Sequence, residues 1–174
     1  MVRLMKCWVL LLLLVPLWAS AAAPDITLKA LDGKARNVNE FIGKGKWTVV
    51  AIWHSDCPIC KREIHQMGFF HDAHKNKDAI VLGVSMDGYA NRAKAQRFVD
   101  EHSLDFTNLV AEPEQIAQFG AGRFVGTPTF YVYNPQGDLV AKQVGPTSQE
   151  VIEQIIAKSN GDKTKTKTKT KSKG

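Results

Sequence analysis

The sequence predicts an α/β sandwich, a central mixed sheet with helices packed against it. Two observations carry that class. Two short apolar runs, Trp47-Thr48-Val49-Val50-Ala51-Ile52-Trp53 and Ala79-Ile80-Val81-Leu82-Gly83-Val84-Ser85-Met86, read as buried strands and flank a stretch with helical spacing. Further on, Thr129–Tyr133 and Leu139–Val144 surround the turn Asn134-Pro135-Gln136-Gly137, a hairpin pattern followed by a last helix. Strand, helix, strand, helix, then hairpin and helix is the order of a layered α/β domain with antiparallel strands mixed in.

The remaining elements follow along the chain. Ile26-Thr27-Leu28-Lys29 alternates apolar and polar residues, Asp32-Gly33 marks a turn, and Val38 ends a returning strand. Asn39 is expected to cap a short helical turn through Phe41-Ile42, broken by Gly43-Lys44-Gly45. Residues 58–76 fit one helix, with Ile59, Glu63, Ile64, Met67 and Phe70 at helical spacing and Pro58 in the first turn, where its missing N–H costs nothing. Residues 89–102 form another, with Ala93, Phe98 and Val99 on its inner face. Phe106–Val110 is a short strand. Pro113–Phe119 is a short helix with acids in its first turn, as the macrodipole favours. Ser148 caps the last helix, which turns Val151, Ile152, Ile155 and Ile156 to the core.

The chain has 174 residues, enough for one domain, read here as residues 24–159. Residues 1–22 have the layout of a secretory signal peptide: Arg3 and Lys6, an apolar run from Trp8 to Leu17, then the small residues Ala19 to Ala23. Cleavage after Ala21 or Ala22 fits the small residues. The apolar run is shorter than the ~20 residues of a membrane span, and an uncleaved anchor is the alternative. Either way the domain is expected in a periplasmic or other extracytoplasmic location. Residues 160–174, a Lys-Thr repeat with no apolar side chain to bury, read as a disordered tail. It is either plainly solvated or drawn to an acidic partner or membrane surface.

The net charge of +6 comes from these two ends. Two of the 23 Lys/Arg lie in the signal segment and six in the tail beside Asp162, which leaves residues 24–161 at −1. A domain so near neutrality offers no electrostatic case for nucleic-acid binding.

Of three cysteines, Cys7 falls within the signal segment, while Cys57 and Cys60 fall where the first buried run meets its helix. Export favours disulfide chemistry. Two cysteines so close make a poor structural staple, which leaves redox or metal chemistry. In the redox reading, Cys57 sits at the helix N-terminus, where backbone N–H groups and the dipole stabilise a thiolate, the attacking species in exchange. Cys60, one turn inside, resolves the mixed disulfide. In the metal reading, a closed zinc site needs about four ligands. No second cysteine pair exists; His54 is near in sequence, and His65, His71 and His74 lie on the next helix, with His71 and His74 on one face. Soft-metal binding, of Cu(I) for example, by Cys57, Cys60 and His54 is the non-enzymatic alternative. The peroxidase pattern P-x-x-x-[ST]-x-x-C is not met, since Val50 and His54 occupy its Pro and Ser/Thr positions.

Val49-Val50-Ala51-Ile52-Trp53 before Cys57-Pro58-Ile59-Cys60, together with Gly126-Thr127-Pro128-Thr129-Phe130, resembles the thioredoxin superfamily. Leu28, Leu31-Asp32-Gly33 and Asn134-Pro135-Gln136-Gly137-Asp138 resemble its TlpA/ResA-like branch, which includes extracytoplasmic reductases of cytochrome c maturation. The resemblance covers roughly residues 25–158. It implies a thioredoxin-like three-layer sandwich with an N-terminal β-hairpin extension, and thiol-disulfide oxidoreductase activity. It implies that Pro128 is a cis-proline facing the cysteines, and that Thr127 offers backbone N–H and C=O groups to an extended substrate. Trp53 would pack beside the site and, with Thr127 and Pro128, contact the substrate. The implied partners are protein disulfides or dithiols and a membrane electron donor of the DsbD type, with the domain a monomer. No metal and no cofactor is implied beyond the redox-active Cys57–Cys60 pair.

The chain also departs from that pattern. Asp56 stands where relatives carry Trp, and a carboxylate beside Cys57 disfavours its thiolate, while a protonated His54 acts oppositely. Ala51 fills the place of thioredoxin's buried Asp. ResA-like members use a Glu after the strand that follows the active-site helix. Asp87-Gly88 stands there, one position displaced, which makes Asp87 either a proton shuttle or a loop aspartate capping the next helix. Pro58-Ile59 gives the Cys57 sulfur neither a side-chain hydrogen bond nor a charge, whereas DsbA-like oxidants carry a His between their cysteines. This favours a reductase over an oxidase or isomerase.

Overall fold

The computed structural model describes residues 23–120 and 122–171; the expected signal segment lies outside them. The described strands are β1 (Thr27–Ala30), β2 (Ala35–Asn37), β3 (Trp47–Trp53), β4 (Ala79–Ser85), β5 (Thr107–Val110), β6 (Thr129–Tyr133) and β7 (Leu139–Val144). They form one sheet in the order β2-β1-β5-β4-β3-β6-β7. β3, β4 and β5 run parallel, joined by helical crossovers, and the remaining pairs are antiparallel. The mixed sheet and its N-terminal hairpin are those the sequence predicts.

Every residue of β3 is buried, and strand alternation sends its side chains into two cores. Val49, Ala51 and Trp53 meet Ile64, Met67, Phe70, Phe98 and Ile152 on the face covered by helices. Val50 and Ile52 meet Val38, Ile42, Ile116 and Phe119 on the other, which is closed by the 3-10 turns Val38–Glu40 and Pro113–Phe119. Each fully buried Leu, Ile, Val or Phe contributes about 1.5–3 kcal/mol relative to exposure, so both faces of the strand are held.

The helices differ from expectation in three details. The stretch 58–76 is two helices, α1 (Pro58–Glu63) and α2 (His65–His74), with the break at Ile64. There the Met67 N–H reaches back only three residues, to the Ile64 carbonyl. The stretch 89–102 is a 3-10 turn, Tyr89–Asn91, followed by α3 (Arg92–Glu101). Ala95 and Phe98, three apart, face the core, while Ala93 is exposed. Asn37, not Asn39, is the N-cap of the first 3-10 turn: its side chain accepts the Asn39 N–H at 2.8 Å and Glu40 returns to the Asn37 N–H at 2.9 Å. Asn37 has the extended backbone a cap requires. The last helix is α4 (Gln149–Lys171). Its Ile152 and Ile156 pack into the helix-covered core. Among the described residues no helix is long and apolar enough to cross a membrane.

Candidate active site

The cysteine turn forms where β3 leaves the sheet. The Cys57 N–H donates to the His54 carbonyl at 3.0 Å, closing a tight turn. Cys57 is then the N-cap of α1, and Pro58 occupies the first turn. Its Sγ accepts the Cys60 N–H at 3.1 Å, so a helix amide points at the sulfur. Cys57 and Cys60 are joined as a disulfide, with Cα atoms 5.2 Å apart. Cys57 is half-buried and Cys60 wholly buried, as expected for an outer and an inner cysteine.

The antiparallel register of β3 with β6 pairs Ile52 with Thr129, which brings the cysteine turn and the start of β6 to one edge of the sheet. The Thr127–Pro128 peptide is cis. The Thr127 carbonyl oxygen lies 3.6 Å from Cys57 Sγ. Pro128 is buried, and its carbonyl accepts the Gly145 N–H at 2.9 Å, which ties the loop to the end of β7.

Parallel pairing of β3 with β4 sets Trp53 beside Ser85, so Asp87, two residues on, arrives behind the same turn. The Asp87 side chain is 1% exposed. Its Oδ1 accepts the Ser55 hydroxyl at 2.6 Å, and Oδ2 accepts the Ser55 N–H at 3.2 Å and the Ser85 hydroxyl. His54 Nε2 lies 3.4 Å from Oδ1. The reading of Asp87 as a cap of the next helix is therefore corrected: the carboxylate turns back to the cysteine turn, and only the Asp87 backbone carbonyl reaches forward, to Asn91 Nδ2 at 2.9 Å.

The other sequence-selected residues fall as follows. The exposed Asp56 pairs with Lys94 of α3 at 3.1 Å. That bond and the Lys94 charge hold its carboxyl below the usual range. Its repulsion of a Cys57 thiolate is thus partly cancelled by a cation 38 residues away in sequence. Trp53 is 0% exposed and stacks on Phe98 at 4.4 Å, so it lies under the site and offers no surface to a substrate, a second correction. Pro58 is exposed and Ile59 half-buried. Ser55, Ser85 and Lys94 escape sequence reading, because no local pattern marks a serine that will meet a carboxylate on another strand.

Among the described residues no cluster of three or more His, Cys, Asp or Glu is arranged to hold a metal ion. His71 is buried, and its Nδ1 accepts the Val81 N–H at 3.1 Å. Both ring nitrogens of His74 are engaged, by Asp78 at 2.8 Å and Glu153 at 3.2 Å.

Residues 19–142 match the model of the AhpC/TSA family. The chain belongs to that family. The chain is 23% identical to sporulation thiol-disulfide oxidoreductase A of Bacillus subtilis over 163 residues, 87% of this chain and 95% of that protein. It is 22% identical to thiol-disulfide oxidoreductase ResA of Geobacillus thermodenitrificans over 135 residues, 77% of this chain and 74% of that protein. A thiol:disulfide interchange protein of the thioredoxin family from Chlorobium tepidum has the same fold, with a TM-score of 0.67 and 23% identity over 78% of this chain and 93% of that one. With a cysteine pair at a helix N-terminus facing a cis-proline, this member of the family is a thiol-disulfide oxidoreductase.

Proposed function

We propose that the protein is an exported reductase of protein disulfides, of the kind that serves cytochrome c maturation. The observation that carries the reading is the pairing of a half-buried Cys57 sulfur, 3.6 Å from the Thr127 carbonyl, with a wholly buried Cys60. In the reduced protein the Cys57 thiolate attacks one sulfur of a substrate disulfide. A mixed disulfide forms, and the substrate's other sulfur leaves as a thiolate that takes up a proton. Cys60 then loses its proton and attacks Cys57 Sγ. The second substrate thiol is released, and the Cys57–Cys60 disulfide remains. Two electrons pass from the cysteine pair to the substrate. Thr127 binds the substrate backbone by strand addition during this exchange. A membrane electron donor of the DsbD type restores the dithiol, and the cysteine pair is itself the redox centre.

The direction is supported by Pro58 and Ile59, which supply no donor or charge to stabilise a free Cys57 thiolate, so the reduced form keeps its reducing power. Trapping tests the roles. A Cys60→Ser protein should accumulate mixed disulfides with a model disulfide protein through Cys57, and a Cys57→Ser protein should accumulate few. Equal trapping by both variants would overturn the assignment. The reduction potential tests the direction: a value near the thioredoxin end, about −270 mV, supports a reductase, and one near the DsbA end, about −120 mV, makes the protein a disulfide donor.

A further inference from the structure

His54 governs the turn that presents Cys57 through both its backbone and its ring. Its carbonyl accepts the Cys57 N–H at 3.0 Å, and its Nδ1 accepts the Asp56 N–H at 3.0 Å. A ring nitrogen that accepts carries no proton, so the neutral ring is the Nε2–H tautomer. That N–H faces Asp87 Oδ1 at 3.4 Å. The ring therefore joins the cysteine turn to the buried carboxylate that also holds Ser55. Its side chain is 36% exposed, so solvent protons reach it.

We infer that His54 is a positioning residue: its neutral Nε2–H tautomer holds Cys57 in attacking geometry, and its protonation loosens that hold. The inference rests on Cys57 being the attacking sulfur. A proton added at Nδ1 turns the acceptor into a donor, so the Asp56 N–H meets another N–H and the turn loses one of its two bonds to His54. Two carboxylates face the new charge. Asp87 stands at the end of β4, and Asp56, on the turn itself, is bound by Lys94 of α3 and also feels Lys61 of α1. The added charge, 3.4 Å from Asp87, raises the thiolate fraction at Cys57, and expressing the rate per thiolate removes that effect and leaves the geometry. The lost turn bond then dominates at Cys57, and the thiolate reacts more slowly.

The test is the rate at which iodoacetamide alkylates Cys57 in the reduced full-length protein, across the range in which histidine titrates. The rate is resolved at Cys57 by peptide mass spectrometry and divided by the thiolate fraction read from ultraviolet absorbance. The corrected wild-type rate should fall about three- to ten-fold as His54 protonates, the worth of one hydrogen bond. His54→Asn keeps the turn, because an Asn carboxamide oxygen accepts the N–H two residues on, and it does not titrate. It should hold the neutral-pH rate with a flat profile, whereas His54→Ala should be slow throughout. A fall in His54→Asn equal to the wild type's, or a flat or rising wild-type profile, overturns the inference. So does a nitrogen-15 spectrum of the neutral wild-type ring with the proton on Nδ1, a readout that needs no variant. If Cys57 alkylates no faster than Cys60, the assignment of the attacking sulfur fails as well; superimposed profiles with a reactive Cys57 reject the His54 role alone.

Discussion

The Asp87 carboxylate takes a hydrogen bond from the Ser55 hydroxyl at 2.6 Å, across 32 residues of sequence. This bond fixes the backbone two residues before Cys57 to the end of the neighbouring strand, and the Ser55 N–H and Ser85 hydroxyl join the same carboxylate. Asp87→Ala strands these donors in a buried place. The oxidised protein should lose about 3 kcal/mol in urea denaturation, and Asp87→Asn, which keeps an acceptor, should lose less. An unchanged midpoint in Asp87→Ala would mean that the carboxylate does not hold the turn.

Trp53 is expected to act through the core alone. It stacks on Phe98 with an interplanar angle of 15°, and its buried Nε1–H has no hydrogen-bond partner among the described residues. Trp53→Phe should therefore shift stability by less than about 1.5 kcal/mol and leave KM for a disulfide substrate unchanged. Trp53→Ala should cost about 3–5 kcal/mol. A several-fold rise in KM at constant kcat in Trp53→Phe would place the ring against the substrate instead.

Gly83 is required by packing across the parallel pair β4 and β5, where it lies beside Asn108. A Cβ there would overlap the Asn108 carboxamide and approach Phe106 Cε2 to 2.9 Å. Gly83→Ala should destabilise the protein by about 1–3 kcal/mol, measured by the same denaturation, while Gly68→Ala, at a position with open space around it, should not.

Two histidines of α2 should titrate in opposite directions. Burial pushes His71 below the ordinary imidazole value of 6.5, and its Nδ1 already accepts the Val81 N–H. Its contribution to stability is present above pH 6.5 and is lost as pH falls from there toward the lowered folded value. Burial also pushes His74 down, but hydrogen bonds to Asp78 and Glu153 and their charges outweigh it, so its value rises above 6.5. Its contribution is complete below 6.5 and is lost as pH climbs through the raised folded value. Urea midpoints against pH should therefore lose their acid-side slope in His71→Asn and their alkaline-side slope in His74→Gln. Proton NMR of the two rings would reverse this account if His71 titrated above His74.

The strands β3, β6 and β7 are legible in the sequence to the residue, because strand patterning and turn chemistry act over a few neighbours. So is the cysteine turn, since Cys57-Pro58-Ile59-Cys60 stands where an apolar run meets a helical period. Helix interiors are read less well: Ala93 and Ala95 are the same residue type two positions apart, and only packing against the sheet chooses Ala95. The surroundings of the sulfurs belong to the tertiary structure. Asp87 meets Ser55, and Lys94 meets Asp56, over 32 and 38 residues. Those meetings depend on the register of β3 with β4 and on where α3 comes to rest. A sequence shows that charged and polar residues flank a cysteine. Whether such a residue faces the sulfur, a lysine or a buried carboxylate is decided by the order in which strands pair, which no local pattern contains.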